Sequence, residues 1–262
     1  MLQNEYSKNI YDPCVYFREL SNKSIIYFLL YVDDMLIAAK SKVDLYQLKQ
    51  QLSLEFDMKD LDATRKILGM EIFRDREACS IHLSQEQHVK KVLFRFGNAK
   101  SVTKHFANHF KLSASQSPKT EDDYEKMKNI PYLIAVGSLM YAMVCTKADI
   151  FHGVSVVSRY LVNPGKKYWQ AVKWILRYFA GLVSKCLKFQ KDGSTFVNAD
   201  QVIGYTDFDF AGDLDKRIFL SGYVFNMSGA VISWKTKLQP TIVLSTTEAE
   251  YVALTETIKE AL

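Results

Sequence analysis

The chain has 262 residues, and 34 Lys+Arg against 29 Asp+Glu leave a formal charge of +5. At 48% hydrophobic and 24% charged residues the composition is globular, which excludes disordered, collagen-like and low-complexity classes and suits one or two domains of roughly 150 residues. Four scattered cysteines (Cys14, Cys79, Cys145, Cys186) without a CxxC pair suggest neither a disulfide scaffold nor a thiolate zinc site and point to a reduced, intracellular protein.

The first residues show no signal pattern, and the apolar stretch from Ile25 to Val32 is far shorter than the ~20 residues of a membrane helix, so neither secretion nor membrane insertion is expected. That stretch opens IIYFLLYVDDMLIAAK, which reads as a hairpin with Asp33 and Asp34 at or beside the turn and both arms buried. Val43, Leu45, Leu48, Leu52 and Phe56 recur near helical spacing and predict an amphipathic helix. KILGMEIFRDREACSIHLSQ reads as two short strands joined by a turn at Arg74 to Glu77. Gln85 to Phe96 reads as a helix burying Val89, Val92, Leu93 and Phe96, with a basic opposite face. The polar, Ser-rich residues 113–123 read as a linker.

Three helical segments follow: one after Tyr132, one over Ile150 to Tyr160 and one over Tyr168 to Phe179, punctuated by Asn163-Pro164-Gly165 and Gly181. Beyond Gln190 the pattern turns to strands in VIGYTDFDFAG, FLSGYVFNMSG and AVISWKTK, with Ser228-Gly229 as a hairpin turn. Ser245-Thr246-Thr247-Glu248 fits a capping box opening a last helix, on which Tyr251, Leu254, Ile258 and Leu262 share one apolar face.

Charge is segregated along this order. Residues 87–120 hold seven basic residues and no acidic one, and residues 159–191 hold eight and again none, so the remainder carries 19 basic against 29 acidic residues. On charge alone these blocks read as solvated helix faces, although basic surfaces also attract polyanions and clustered carboxylates hold divalent metals. Tyr160, Tyr168, Trp169, Trp174 and Tyr178 within the second block read mostly as core, with the basic residues between them better placed to touch phosphate. His105 and His109 stand four apart but lack the glutamate of a zinc-protease helix, so surface histidines are expected.

An Asp-Asp pair in a turn often serves only as an Asx-turn former. Here Tyr31-Val32-Asp33-Asp34 lies within LLYVDDMLIA, an apolar frame in which uncompensated charge is costly, and it resembles the YxDD box of reverse transcriptases. With FDMKDLDATRKILGMEI and LSQEQHVKKVLFRF after it, the run is similar to the Ty1/copia class of retrotransposon Pol polyproteins. GSLMYAMVCTKADI, NPGKKYWQAVKWILRY, GYTDFDFAGDLDKR, SGYVF, ISWKTKLQ and LSTTEAEYVAL extend the resemblance, in order, through that class's connection and ribonuclease H regions.

The resemblance implies a mixed α+β and α/β fold with a partial palm carrying YVDD and a thumb over 1–112, a linker over 113–123, a helical connection over 124–191 and part of an RNase H-like fold over 192–262. It implies RNA-directed DNA synthesis and RNA removal by two-metal chemistry, with Mg²⁺ on Asp33, Asp34, Asp207 and Glu250, the last matched because Ala253 follows it by three residues. Glu248 is then the capping residue, and Asp209, Asp213 and Asp215 are solvated turn residues. The implied partners are an RNA template, a DNA primer, their hybrid and dNTP, without a membrane, with Lys90, Lys91, Arg95, Lys166, Lys167 and Lys173 as phosphate contacts. The implied location is a cytoplasmic particle or the nucleus.

The family's earlier palm aspartate, in a DVKTAFLHG-like stretch, and its third RNase H aspartate fall outside Met1 to Leu262. A catalytically silent fragment is therefore expected, with a sequence-independent nucleic-acid-binding remnant and an unfolded pseudogene product as alternatives. Phe208 and Ile218-Phe219-Leu220 depart from the family pattern, and an exposed Phe or Ile there would be an aggregation liability, consistent with relaxed selection on a decayed copy.

Overall fold

The apolar runs flanking the two aspartates pair as antiparallel strands because their side chains alternate between a covered and an open face. A computed structural model describes residues 6–97, 100–107, 109–190, 201–209, 215, 218–239, 243 and 245–262, and divides the chain into Met1–Ile67 and Leu68–Leu262.

In the first unit, β1 (Ser7–Lys8), β2 (Val15–Glu19), β3 (Ile25–Tyr31) and β4 (Asp34–Ala38) form an antiparallel meander, followed by helix α1 (Lys42–Glu55) and a short strand β5 (Lys66–Ile67). Ile26 and Phe28 of β3 meet Leu48 and Leu52 of α1 in a core closed by Tyr6. The arms are not both buried: Ile25, Tyr27 and Tyr31 face outward, since a sheet covered on one side hides only alternate residues. On α1 likewise, Val43 and Phe56 are exposed and only Leu48 and Leu52 are buried. Ser41 caps α1, its hydroxyl accepting from the Val43 N–H at 3.1 Å.

The second unit is built on α2 (Glu86–Phe96), α4 (Tyr132–Cys145), α5 (Phe151–Ser158) and α6 (Lys166–Ala180), whose apolar faces share one core. Tyr132 lies fully inside it and donates its hydroxyl to the Val157 carbonyl at 2.8 Å, and burial pushes its phenol well above the usual tyrosine range. Buried Gln85, the N-cap position of α2, accepts from the Thr146 hydroxyl at 2.7 Å, tying the start of α2 to the end of α4. Helix α3 (Glu121–Lys128) opens with a Thr120–Asp123 capping box. Residues 113–117 carry a 3-10 turn over Ala114–Gln116 and bond to α6, the Tyr168 hydroxyl donating to the Ser113 carbonyl at 2.7 Å.

Two further sheets flank these helices. Strands β6 (Met70–Asp75) and β7 (Ser80–Ser84) form a hairpin whose turn falls at 76–79, two residues later than the sequence suggests, because Arg74 and Asp75 pair with Ile81 and Ser80. β7 also pairs with β8 (Leu187–Gln190), a strand the sequence does not announce. Strands β9 (Ile203–Asp209), β10 (Leu220–Met227) and β11 (Ala230–Leu238) form the other sheet in the order β11-β10-β9, with the tight turn at Ser228-Gly229. The fold is thus mixed α and β with antiparallel sheets.

Helix α7 (Thr246–Ala261) packs on β9 and β10 through Ala249, Ala253 and Thr257. Its larger apolar stripe faces outward instead, with Tyr251 at 68% and Leu262 at 84% exposure, because only small side chains let the helix approach the sheet closely. Phe219 and Leu220 are buried rather than exposed, and Phe208, half-buried, packs with Phe219 and Val243 against Ala249. Among the described residues no single helix is long and apolar enough to cross a membrane.

Removing the Tyr132 hydroxyl leaves a weakened acceptor inside the core. Tyr132→Phe is expected to lower stability by about 1 kcal/mol and Tyr132→Ala by about 3–5 kcal/mol, read by urea denaturation.

Candidate functional site

The β3–β4 register pairs Tyr31 with Asp34, leaving Val32 and Asp33 as a two-residue turn. Val32 has φ 53°, in a region where hairpin turns take Gly or Asn and a β-branched side chain is strained. Nothing buries it in return, since it is 81% exposed. The chain tolerates this conformation at the residue immediately before the two carboxylates. Asp33 and Asp34 are themselves exposed, so the apolar frame fixes the turn without withdrawing their charge from water.

Beneath the turn lies a cavity of about 820 Å³, lined by Asp33, Asp34, Leu52, Phe56 and the loop 57–67. Across it Lys49 pairs with Asp60 at 2.7 Å. The Lys49 ammonium, helped by the Asp62 N–H, holds the Asp60 carboxyl below the usual aspartate range, so Asp60 is already engaged. Among the described residues no three His, Cys, Asp or Glu side chains gather into a metal-sized group. Two adjacent carboxylates nonetheless suit Mg²⁺, which takes one or two protein carboxylates and completes its shell with water and substrate phosphates.

The second predicted pair is brought together across sequence. Asp207 on β9 and Glu250 on α7 line one cavity of about 510 Å³ with Thr206, Phe208, Thr247 and Tyr251, and both carboxylates are exposed. Asp207 accepts from the Phe208 N–H at 2.9 Å. The Glu248 N–H donates to the Ser245 hydroxyl at 3.1 Å, which fits its place in the cap. Asp209 ends strand β9 rather than lying in a turn, and Asp213 falls outside the described residues. Asp215 is exposed but not merely solvated: it accepts from the Ala114 N–H at 2.9 and 2.8 Å and from the Tyr160 hydroxyl at 3.2 Å. A main-chain donor 101 residues away satisfies it, which no local pattern reveals.

The two basic blocks converge on a third place. A groove of about 910 Å³ is lined by Lys111 from the first block and Lys167, Lys173 and Arg177 from the second, with Phe96, His109, Phe110 and Trp174, and among the described residues no acidic one borders it. Arg177 lies over the Trp174 ring at 5.1 Å and donates through Nε to the Lys100 carbonyl at 3.0 Å, while the Trp174 indole donates to the Lys104 carbonyl at 3.0 Å. The cations therefore stand on a braced wall. Of the six predicted phosphate contacts, Lys167 and Lys173 line this groove. Lys90 pairs with Glu86 at 2.6 Å, Arg95 covers the Phe96 ring at 5.8 Å, and Lys91 and Lys166 are exposed outside the lining. Lys111 and Arg177 were singled out only as members of their charge blocks, and their convergence is tertiary. His109 is exposed, whereas His105 is half-buried against His152 and Tyr178, and burial pushes its imidazole down.

The family model described as reverse transcriptase (RNA-dependent DNA polymerase) matches residues 2–108. The chain is 51% identical over 265 residues to the retrovirus-related Pol polyprotein from transposon TNT 1-94 of Nicotiana tabacum, with all of this chain and 19% of that protein aligned. It is 43% identical over 136 residues to the secreted RxLR effector protein 161 of Plasmopara viticola, covering 52% of this chain and 92% of that protein. It is 31% identical to a putative transposon Ty5-1 protein of Saccharomyces cerevisiae, covering 94% of this chain and 77% of that protein. The chain thus spans about a fifth of the tobacco polyprotein. No solved structure matches.

The strained turn makes its own prediction. Val32→Gly removes the left-handed penalty at a small cost in chain entropy, so hydrogen exchange of the β3–β4 amides should show this hairpin more stable by about 0.5–1 kcal/mol. A loss of protection would mean that the valine side chain stabilises the turn.

Proposed function

This chain belongs to the copia-type retrotransposon Pol polyproteins and carries sequence of their reverse transcriptase domain over residues 2–108, and on that premise we propose that it takes part in RNA-directed DNA synthesis through Asp33 and Asp34. The observation that carries this reading is the hairpin that holds two adjacent carboxylates at its tip, beside a cavity wide enough for a nucleotide. Mg²⁺ held there would stabilise charge developing on the transferred phosphoryl group. The chain's own part is to fix the two carboxylates on a paired turn. Lys49 pairs with Asp60 nearby, while Asp33 and Asp34 stand exposed at the tip.

Asp207 and Glu250, lining one cavity, support a second metal-dependent site acting on the RNA strand of a hybrid, as the RNase H resemblance implies. Among the described residues no third carboxylate gathers with either predicted pair into a metal-sized group, and two-metal chemistry takes more ligands than a pair supplies. The isolated chain is therefore expected to be silent in both reactions. A primed RNA template incubated with purified protein, dNTP and Mg²⁺ should show no extension, and a labelled RNA–DNA hybrid no cleavage. Extension that Asp33→Asn or Asp34→Asn abolishes would overturn the silence and establish the catalytic role together.

A second reading, nucleic-acid binding without catalysis, rests on the groove of Lys111, Lys167, Lys173 and Arg177. Four cations with no opposing carboxylate among the described residues suit a phosphate backbone and carry no means of reading sequence. Affinity for a hybrid duplex should fall with salt with a log–log slope of about −3 to −4, and Lys167→Ala or Lys173→Ala should each shallow that slope by about one. A slope unchanged in both variants would remove the groove from the binding surface.

A further inference from the structure

Cys186 is exposed and immediately precedes β8, and the pairing of β7 with β8 sets His82 opposite Lys188. That register brings the Cys186 sulfur to 3.7 Å from Nδ1 of His82. The other ring nitrogen, Nε2, lies 3.3 Å from the hydroxyl of buried Ser80, and Phe73 meets the imidazole edge-on at 5.9 Å, so the ring is held on three sides. Behind the thiol sits Lys147, which is 2% exposed and whose ammonium donates to the Leu182 carbonyl at 3.1 Å and to the Lys185 carbonyl. Burial pushes that ammonium down, against the charge of Asp149, and its bond to the Lys185 carbonyl sets it beside the residue that precedes Cys186. Lys185 and Lys188 flank it, both exposed.

A thiol beside an imidazole, backed and flanked by cations and open to solvent, is the environment in which cysteines become nucleophiles. We propose that Cys186 is a modification site that forms mixed disulfides with small anionic disulfides such as oxidised glutathione, with His82 as the base. The sulfur attacks one sulfur of the disulfide, the S–S bond breaks, and the departing thiolate takes up the proton that Nδ1 of His82 removed from Cys186. Cys186 is oxidised and the leaving half of the disulfide is reduced, with no other oxidant involved. The lysines draw the anionic reagent to the thiol.

The chain carries its own control in Cys79, also exposed, whose sulfur lies 3.7 Å from the Arg76 carbonyl and, among the described residues, has no imidazole within hydrogen-bond reach. Purified protein treated with oxidised glutathione and digested for mass spectrometry should show Cys186 modified about tenfold faster than Cys79. His82→Phe, which keeps a ring against Phe73, and His82→Asn should both bring Cys186 down to the Cys79 rate and leave Cys79 unchanged. Equal rates in the wild-type chain, or a Cys186 rate that survives both variants, would overturn the proposal. An uncharged disulfide reagent should narrow the preference, and an undiminished preference would remove the lysines from it.

Discussion

Helix α6 buries Tyr168, Ala171, Val172, Ile175, Leu176 and Phe179 against α2, α4 and α5, and a helix that commits one face so completely has no freedom in what it shows on the other. Lys167, Lys173 and Arg177 are turned outward by that packing. The same helix orders what lies around it. Its Tyr168 stacks on Tyr160 at 4.1 Å and reaches the Ser113 carbonyl, and Tyr160 in turn reaches Asp215, so the 113–117 segment and Asp215 are both referred to one core. The charge segregation visible along the chain becomes a braced basic groove only because that core brings the ends of two blocks together.

The C-terminal sheet meets the same helices where the Phe151 ring lies against Gly222, and polar contacts add to that. The Trp234 indole donates to the Met143 carbonyl at 3.0 Å, and the Asp215 carboxylate takes the Ala114 N–H. Gln239, also buried, donates to the Ser221 hydroxyl at 2.8 Å and to the Ala249 carbonyl at 2.9 Å, which sets α7 against the sheet at the height where Glu250 and Asp207 border one cavity. A buried amide that must find partners fixes position more narrowly than apolar contact does.

Elements whose signal is local were legible in the sequence. The hairpin around Asp33, the helices at 86–96 and 166–180, the three late strands and the Ser245 cap all follow from periodicity, turn residues or capping over a few positions. Local signals do not report on partners distant in sequence. β8 is short and gains its identity from β7, over 100 residues earlier. The burial of Phe219 is not legible locally, because its cover, Val243 and Ala249, arrives from later in the chain. On α7 apolar size does not report burial, because close approach to the sheet selects Ala249 and Ala253 for the inner face. At the carboxylates, residue identity was readable from the motif, but the left-handed backbone of Val32 was not, since valine is among the residues least expected there.

The outward stripe of α7, Tyr251 to Leu262, bears on how the protein would fare in a cell. Chaperones and degradative machinery recognise unfinished protein by contiguous apolar surface, and a helix carrying such a stripe shows that signature even when every residue behind it is correctly packed. A single charge placed on the stripe, at Leu254 or Ile258, would break that signature without touching the inner face of Ala249, Ala253 and Thr257.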